Sequence, residues 1–281
     1  MSKFAQTSVL QSEDSNTAVV APILTGRLLE GRTVVISGAA RARGIGKATA
    51  RLCVAHGAHV ALLDQDAAEV GQAASDIAGA EGAALGVACD VTRMDACVRA
   101  IAQVLEWAGS RGRIDALVNN AAVTQKRGIA DIGAADYDMV TDVVLRGTLQ
   151  LTQAALPTMR AQGRGSIVMV ASLSAQQGGG IFGGAHYCAA KAGVLGFTRA
   201  LAREFGPEGI RANAVAPGLV LTDFSRSGRT DEEKHESGRS WPLARAGHPD
   251  EIASACLFLM SDLSSYMTGA TLDVNGGAYM R

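Results

Sequence analysis

Aromatic residues are scarce in this chain. Phe, Trp and Tyr make up 4% of its 281 residues, so aliphatic and small side chains must fill the core. Long apolar runs are missing: none approaches the roughly 18 residues of a membrane-spanning helix, and no membrane contact is expected. Excess charge is missing too. With 26 basic and 27 acidic residues the net charge is −1, no electrostatic basis for binding nucleic acid or an anionic membrane surface. Paired cysteines are absent: Cys53, Cys89, Cys97, Cys188 and Cys256 are odd in number and scattered. That is the pattern of reduced thiols in a cytoplasmic protein. The histidines show neither HxxxH nor HExxH spacing, so no metal site is expected. Residues 1–29 lack the basic start and long apolar centre of a signal peptide. They read as an extension, packed on the surface or on a partner subunit, ahead of one domain at 30–281.

What the chain does have is glycine, 33 residues of it, and 48% hydrophobic residues in a regular alternation. Short apolar runs at 33–37, 59–63, 84–88, 115–118, 166–171, 211–215 and 271–274 read as strands. Between them, amphipathic stretches at 44–56, 67–80, 94–108, 134–162, 185–205 and 251–260 read as helices. The stretch 134–162 is one long helix, with Pro157 as the place for a kink. Strands apolar on both faces, alternating with helices, predict an α/β fold. It is a single-domain Rossmann-type, doubly wound parallel sheet of about seven strands with helices on both faces. The charged segment 223–239 reads as a long polar loop, part of a lid at about 222–247.

Strand carboxyl ends are where such sheets bind ligands. The first strand runs into Ser37-Gly38-Ala39-Ala40-Arg41-Ala42-Arg43-Gly44-Ile45-Gly46, which opens the first helix. Gly38, Gly44 and Gly46 let backbone approach a pyrophosphate, and Ile45 sits at a helix N-terminus rich in N–H donors. Asp64 ends the second strand, 26 residues after Gly38. Its carboxylate suits an adenosine ribose and repels a 2′-phosphate, or else it caps the next helix, a task Asp66 fills equally well. Arg43 pulls toward NADP, but the direct repulsion at Asp64 makes NAD the expected cofactor. Asp90 and Val91 follow the third strand, and Asn119-Asn120-Ala121-Ala122 the fourth.

Tyr187 and Lys191 are spaced i, i+4, on one face of a helix. A phenol titrates near ~10, and a nearby ammonium favours its ionised form. Reaching ~7 takes about 4 kcal/mol of differential stabilisation. Tyr-x-x-x-Lys alone is usually a surface pair. Here Gly183, Gly184, Ala185, Cys188, Ala189, Ala190, Ala192 and Gly193 surround it, leaving room for a cofactor or another helix. Ser172 ends the fifth strand, as a crevice-facing hydroxyl or a turn serine.

Together SGAARARGIG, Asp64, NNAA at 119–122, Ser172, YCAAK at 187–191, RANAVAPG at 211–218 and TGATLDVNGG at 268–277 resemble the short-chain dehydrogenase/reductase family over about residues 30–278. The likeness leans to NAD-dependent secondary alcohol dehydrogenases and 3-oxoacyl-thioester reductases. It implies Tyr187 as general acid/base, Ser172 on the substrate oxygen, and Lys191 on the nicotinamide ribose, lowering the tyrosine pKa. It further implies that Asn119 and Ala121 lie beside the cofactor, that Arg41 and Arg43 reach its phosphates, and that Pro217, Gly218, Val220 and Thr222 hold the nicotinamide. A catalytically quiet NAD-binding protein is the alternative. Family members are homotetramers or dimers, here through 134–156 and 268–281.

Three departures stand out. The glycine turn is two residues longer than TGxxxGxG, and Ser37 replaces the threonine. The asparagine expected three residues before Gly147 is Val144, which neither bonds a relay water nor stabilises a bulged turn in the same way. The Ser172-to-Tyr187 spacing is 15, about two longer than usual, which enlarges the pocket wall. The substrate, a small molecule, is framed by Ser174, Gln176, Gln177, Phe182, His186, Phe224 and the lid to Trp241. Arg226, Arg229, Arg239 and Arg245 are placed to pair an anionic group. A sugar, a cyclic or aryl alcohol and a hydroxyacyl thioester all remain open.

Overall fold

In a computed structural model of the protein, residues 27–79, 83–179, 183–224 and 230–280 are described. The elements run β1 Thr33–Ser37, α1 Ile45–Ala55, β2 His59–Asp64, α2 Ala67–Ala78, β3 Ala84–Ala88, α3 Met94–Glu106, β4 Ala116–Asn119, α4 Ala134–Thr141, α5 Gly147–Gln162, β5 Gly165–Val170, α6 Ser174–Gln177, α7 Ala185–Phe205, β6 Ile210–Pro217, α8 Asp231–Gly238, α9 Pro249–Met260 and β7 Thr271–Val274. All seven strands are parallel, in the order β3-β2-β1-β4-β5-β6-β7. No helix of the described residues is long and apolar enough to cross a membrane.

Both faces of the sheet are buried, which explains the unbroken apolar strands. Val35, Leu63, Leu117 and Met169 face one core, with α3, α5 and α7. Val34, Ile36, Leu62, Val118 and Val168 face the other, with α1 and α9. The order reverses between β1 and β4, so the connections that leave them run to opposite sides and open a crevice at their carboxyl ends. Leu29 is fully buried, and its N–H bonds the His56 carbonyl.

Two expectations are corrected. The helix over 134–162 is not interrupted at Pro157, which sits inside an unbroken α5. It is interrupted at a π turn, Asp142–Arg146, where the Gly147 N–H reaches the Asp142 carbonyl. The bulged turn therefore forms with Val144 in the usual asparagine position. Thr148 Oγ donates to the Val144 carbonyl at 2.7 Å, and Thr152 Oγ to the Thr148 carbonyl at 2.7 Å. Val144 itself is 1% exposed among apolar neighbours. Gly147 is needed there because a Cβ would lie 2.7 Å from Cγ2 of Val91, three residues after β3. The polar stretch 223–239 is not simply a loop, for α8 occupies Asp231–Gly238. Thr230 accepts from the Glu233 N–H, and the Glu233 carboxylate accepts from the Thr230 N–H, a reciprocal cap.

The π turn thus rests on a hydroxyl and an apolar side chain. Thr148→Val is expected to lower unfolding stability by about 0.5–1.5 kcal/mol, because it removes the buried hydroxyl's bond to the Val144 carbonyl. Val144→Asn is expected to be destabilising by a similar order, since it buries an amide among apolar groups. Urea unfolding checks both, and a Val144→Asn protein as stable as the parent would show that the turn holds a partner for the amide.

Candidate active site

One continuous cleft of about 350 Å³ runs along the carboxyl ends of the strands, from Gly38, Arg41, Gly44, Ile45, Asp64, Asp90 and Val91 to Ser172, Tyr187, Lys191 and Phe224. At its first end, backbone meets backbone. Gly38 has φ +66°, and a Cβ there would lie 2.7 Å from Ala121 Cα. Ser37 holds the two turns together: its Oγ accepts from the Asn120 and Ala121 N–H groups, both at 3.1 Å. Gly46 seats α1 on the same turn, since a Cβ would meet the Gly38 carbonyl at 2.6 Å. The N-terminus of α1 has Gly44 at its cap, no side-chain cap and no acid in its first turn. Its amides are thus left for an anion.

Asp64 lines this end and accepts from Ala40 N–H at 3.2 Å and Gln65 N–H at 2.9 Å. The capping of α2 falls to Asp66, which accepts from Ala68 and Glu69. Asp90 orders the next turn, accepting from Thr92 N–H at 2.9 Å and Thr92 Oγ at 2.7 Å. A cradle without Cβ atoms, an uncapped helix end and a carboxylate on the second strand fit a dinucleotide. Thr222, Val220, Pro217 and Gly218 line the cleft beyond, and Thr222 Oγ accepts from the Phe224 N–H at 3.3 Å.

At the other end, α7 carries Tyr187 and Lys191, 5% and 3% exposed. The Lys191 ammonium nitrogen stands 5.9 Å from the centre of the Tyr187 ring and donates to the Val170 carbonyl. Ser172 hydrogen-bonds Tyr187, and its Oγ also accepts from the Ser174 N–H at 3.1 Å. The Phe224 ring lies 6.4 Å from that of Tyr187, tilted by 45°. Burial governs the titration of both groups. It pushes Lys191 down to about 7. It pushes Tyr187 up to about 12, partly opposed by the Ser172 hydrogen bond. On the phenol, removal from water thus outweighs the Ser172 hydrogen bond. Neutral phenol and neutral amine are nevertheless only one internal proton transfer from phenolate and ammonium.

Some expected residues lie elsewhere. Asn119 points below the cleft, its Nδ2 donating to Thr152 Oγ at 3.0 Å and contacting Met169 Sδ at 3.4 Å. Asn120 lines the cleft instead, donating to the Ser37 and Gly38 carbonyls at 3.0 and 2.9 Å. The signal for it was the strand's own alternation, which turns neighbouring side chains to opposite faces. Arg43 is not on the cleft wall: it pairs with Asp231 of α8 at 2.7 Å and with Asp223 at 3.9 Å. His186 is 3% exposed, off the cleft, with its ring close to Gly184, and neither nitrogen has a partner among the described residues. Gln176 bonds Asp273 at 2.7 Å rather than facing the cleft. Ser174, Gln177 and Gly179 are on the wall, so the longer connection after Ser172 does shape it. Phe182, Arg226 and Arg229 lie outside the described residues.

Comparison with known proteins agrees with this architecture. A family model described as enoyl-(acyl carrier protein) reductase matches residues 38–279. A short-chain type dehydrogenase/reductase from Sinorhizobium fredii is 49% identical, over 89% of this chain and 98% of that protein. The L-rhamnose 1-dehydrogenase (NAD(P)(+)) of Azotobacter vinelandii is 38% identical, over 90% of this chain and 98% of its own length. A crystal structure of a 3-oxoacyl-[acyl-carrier protein] reductase with bound NAD from Brucella melitensis superposes with a TM-score of 0.81 at 35% identity. It covers 91% of this chain and 94% of that one.

The buried amine has a measurable signature. Between pH 7 and the ordinary lysine value of 10.5, the unfolded chain binds one more proton at residue 191 than the native chain. The stability held there is full above 10.5 and is lost as pH falls through about 7. Unfolding free energy relative to Lys191→Met is therefore expected to rise with pH across that window. A flat difference would place the Lys191 amine in contact with solvent or an acid.

Proposed function

The chain belongs to the short-chain dehydrogenase/reductase family and is an oxidoreductase acting on CH–OH or keto groups; from that premise we propose that it moves a hydride between NAD(H) and a secondary alcohol or ketone, with Tyr187 as general acid/base. When bound, the nicotinamide accepts or supplies the hydride. In the oxidative direction Tyr187, in its phenolate form, would take the hydroxyl proton as the alcohol carbon gives up its hydride. The alcohol would become the ketone, the bound nicotinamide would supply the oxidising equivalent, and the proton held by Tyr187 would pass to solvent. Ser172 holds the substrate oxygen next to the phenol. Lys191 holds the nicotinamide ribose and favours the phenolate whenever it carries its proton. Gly38, Arg41, Gly44, Ile45 and Gly46 take the pyrophosphate, Asp90, Val91 and Ala121 the adenosine side, and Pro217, Gly218, Val220 and Thr222 the nicotinamide.

One observation carries this reading: Ser172, Tyr187 and Lys191 open onto the same cleft whose far end holds the Gly38 cradle and Asp64. NAD over NADP is supported by the Asp64 carboxylate on the cleft wall and by Arg43, which is already engaged by Asp231. Buried free thiols at all five cysteines suit a cytoplasmic enzyme. Exposed Tyr137, Met139 and Leu149 on α4 and α5 suit a homo-oligomer.

The test pairs turnover with binding. Tyr187→Phe is expected to lower alcohol oxidation about 10²–10⁴-fold, the usual contribution of a positioned acid/base. NADH affinity by fluorescence titration should stay within about threefold of the parent. Asp64→Ser is expected to raise the NADP/NAD ratio of kcat/KM at least about tenfold, one like-charge repulsion removed. Undiminished turnover in Tyr187→Phe would sink the assignment of the acid/base.

A further inference from the structure

The chain spends its few rings unevenly. Of its six Phe, four Tyr and two Trp, Tyr187, Phe224 and Trp241 line the cleft. Phe224 and Trp241 both come from the lid side, on either flank of α8. Leu243, two residues after Trp241, donates its N–H to the Gly276 carbonyl, tying this segment to the turn after β7. Val123, Val143 and Leu173 add aliphatic surface to the same cleft.

Charge is distributed the opposite way. The charged side chains on the cleft wall are Arg41, Asp64, Asp90 and Lys191 among the described residues. The first three sit at the ends of β1, β2 and β3, the dinucleotide side. Lys191 is buried and donates to a backbone carbonyl. Arg239 and Arg245, placed by sequence where an anion would be met, are paired with Glu236 and Glu251. Among the described residues, this side of the wall thus offers an anionic substrate no unpaired cation to replace its hydration. Hydroxyl groups fare little better. Ser174 and Gln177 are the wall's polar side chains beyond Ser172, Tyr187 and Thr222 on the β5 and β6 side. A sugar with several hydroxyls would leave most of them unpaired against Phe224, Trp241 and Leu173.

Resting on the oxidoreductase reading above, we propose that the substrate is an uncharged secondary alcohol or ketone borne on or beside a hydrophobic ring, the ring packed against Phe224 and Trp241. Aromatic side chains bind such rings through area and offset or edge contacts. The reacting carbon then projects toward Ser172 and Tyr187.

The experiment measures kcat/KM with NAD for the whole enzyme on cyclohexanol, 1-phenylethanol, 2-butanol, L-rhamnose and 3-hydroxybutyryl-coenzyme A. The ring alcohols are expected to exceed each of the others at least about tenfold, the scale of apolar pocket discrimination. In Phe224→Ala and Trp241→Ala the ratio of 1-phenylethanol to 2-butanol should fall about fivefold or more, mostly through KM. The ratio is internal to each variant, so a loss of folded protein does not mimic it. Preference for the sugar or the thioester, or a ratio untouched by both variants, overturns the substrate class and leaves the oxidoreductase reading intact. If no alcohol is oxidised and none of the matching ketones is reduced with either cofactor, both readings fall.

Discussion

Everything in the cleft depends on how closely two turns meet. The Ser37 hydroxyl accepts from two successive N–H groups, Asn120 and Ala121, and Asn120 returns its side-chain amide to the Ser37 and Gly38 carbonyls. Four hydrogen bonds thus pin the end of β1 to the end of β4 at the point where the strand order reverses. Gly38 is the residue that permits it, because both its positive φ and the 2.7 Å approach of Ala121 Cα exclude a side chain. Ser37 does this with one hydroxyl and no methyl, in a site that is 2% exposed. The serine in place of the expected threonine therefore supplies the hydroxyl these two bonds need.

The chemistry at the other end is built from burial. Tyr187 and Lys191 lie one helical turn apart with almost no water contact, and each is driven toward its neutral form. A lysine in water would stay protonated, hold its charge away from the phenol and gain nothing from a proton transfer. Here the amine titrates near neutrality, where its charge responds to whatever binds beside it. The Val170 carbonyl fixes the amine at the end of β5, the strand that also delivers Ser172 two residues later. Position and acidity thus come from the same packing.

Much of this was legible from the chain alone, because periodicity and glycine placement are local. The seven strands, the Gly38 turn, Asp64 and the Tyr187–Lys191 spacing follow from side-chain alternation and helical geometry. What was not legible depends on tertiary partners. Pro157 is tolerated inside α5, while the π turn at Val144 is held by Thr148 one turn on. Asn119 and Asn120 are adjacent and chemically alike, and only the face each takes separates them. The direction of the Tyr187 and Lys191 shifts depends on depth of burial, which no spacing reveals. Arg43 could not be assigned without Asp231, 188 residues away.

That last contact explains what the longer glycine turn does structurally. The turn reaches α8 through the Arg43–Asp231 pair, so the Gly38 end of the cleft is tied to the helix between Phe224 and Trp241. The pair is largely solvent-exposed, 48% for Arg43 and 38% for Asp231, and exposed ion pairs contribute little to stability. Lys234 contributes more to seating α8: it is 4% exposed, and its ammonium donates to the Thr222 carbonyl at 2.8 Å. A buried charge-assisted hydrogen bond holds its geometry where a surface pair exchanges with water. Helix α8 is therefore anchored at Thr222, on the cleft wall itself. A displacement of α8 would carry Trp241 with it, since the Trp241 N–H donates to the Gly238 carbonyl at the end of that helix.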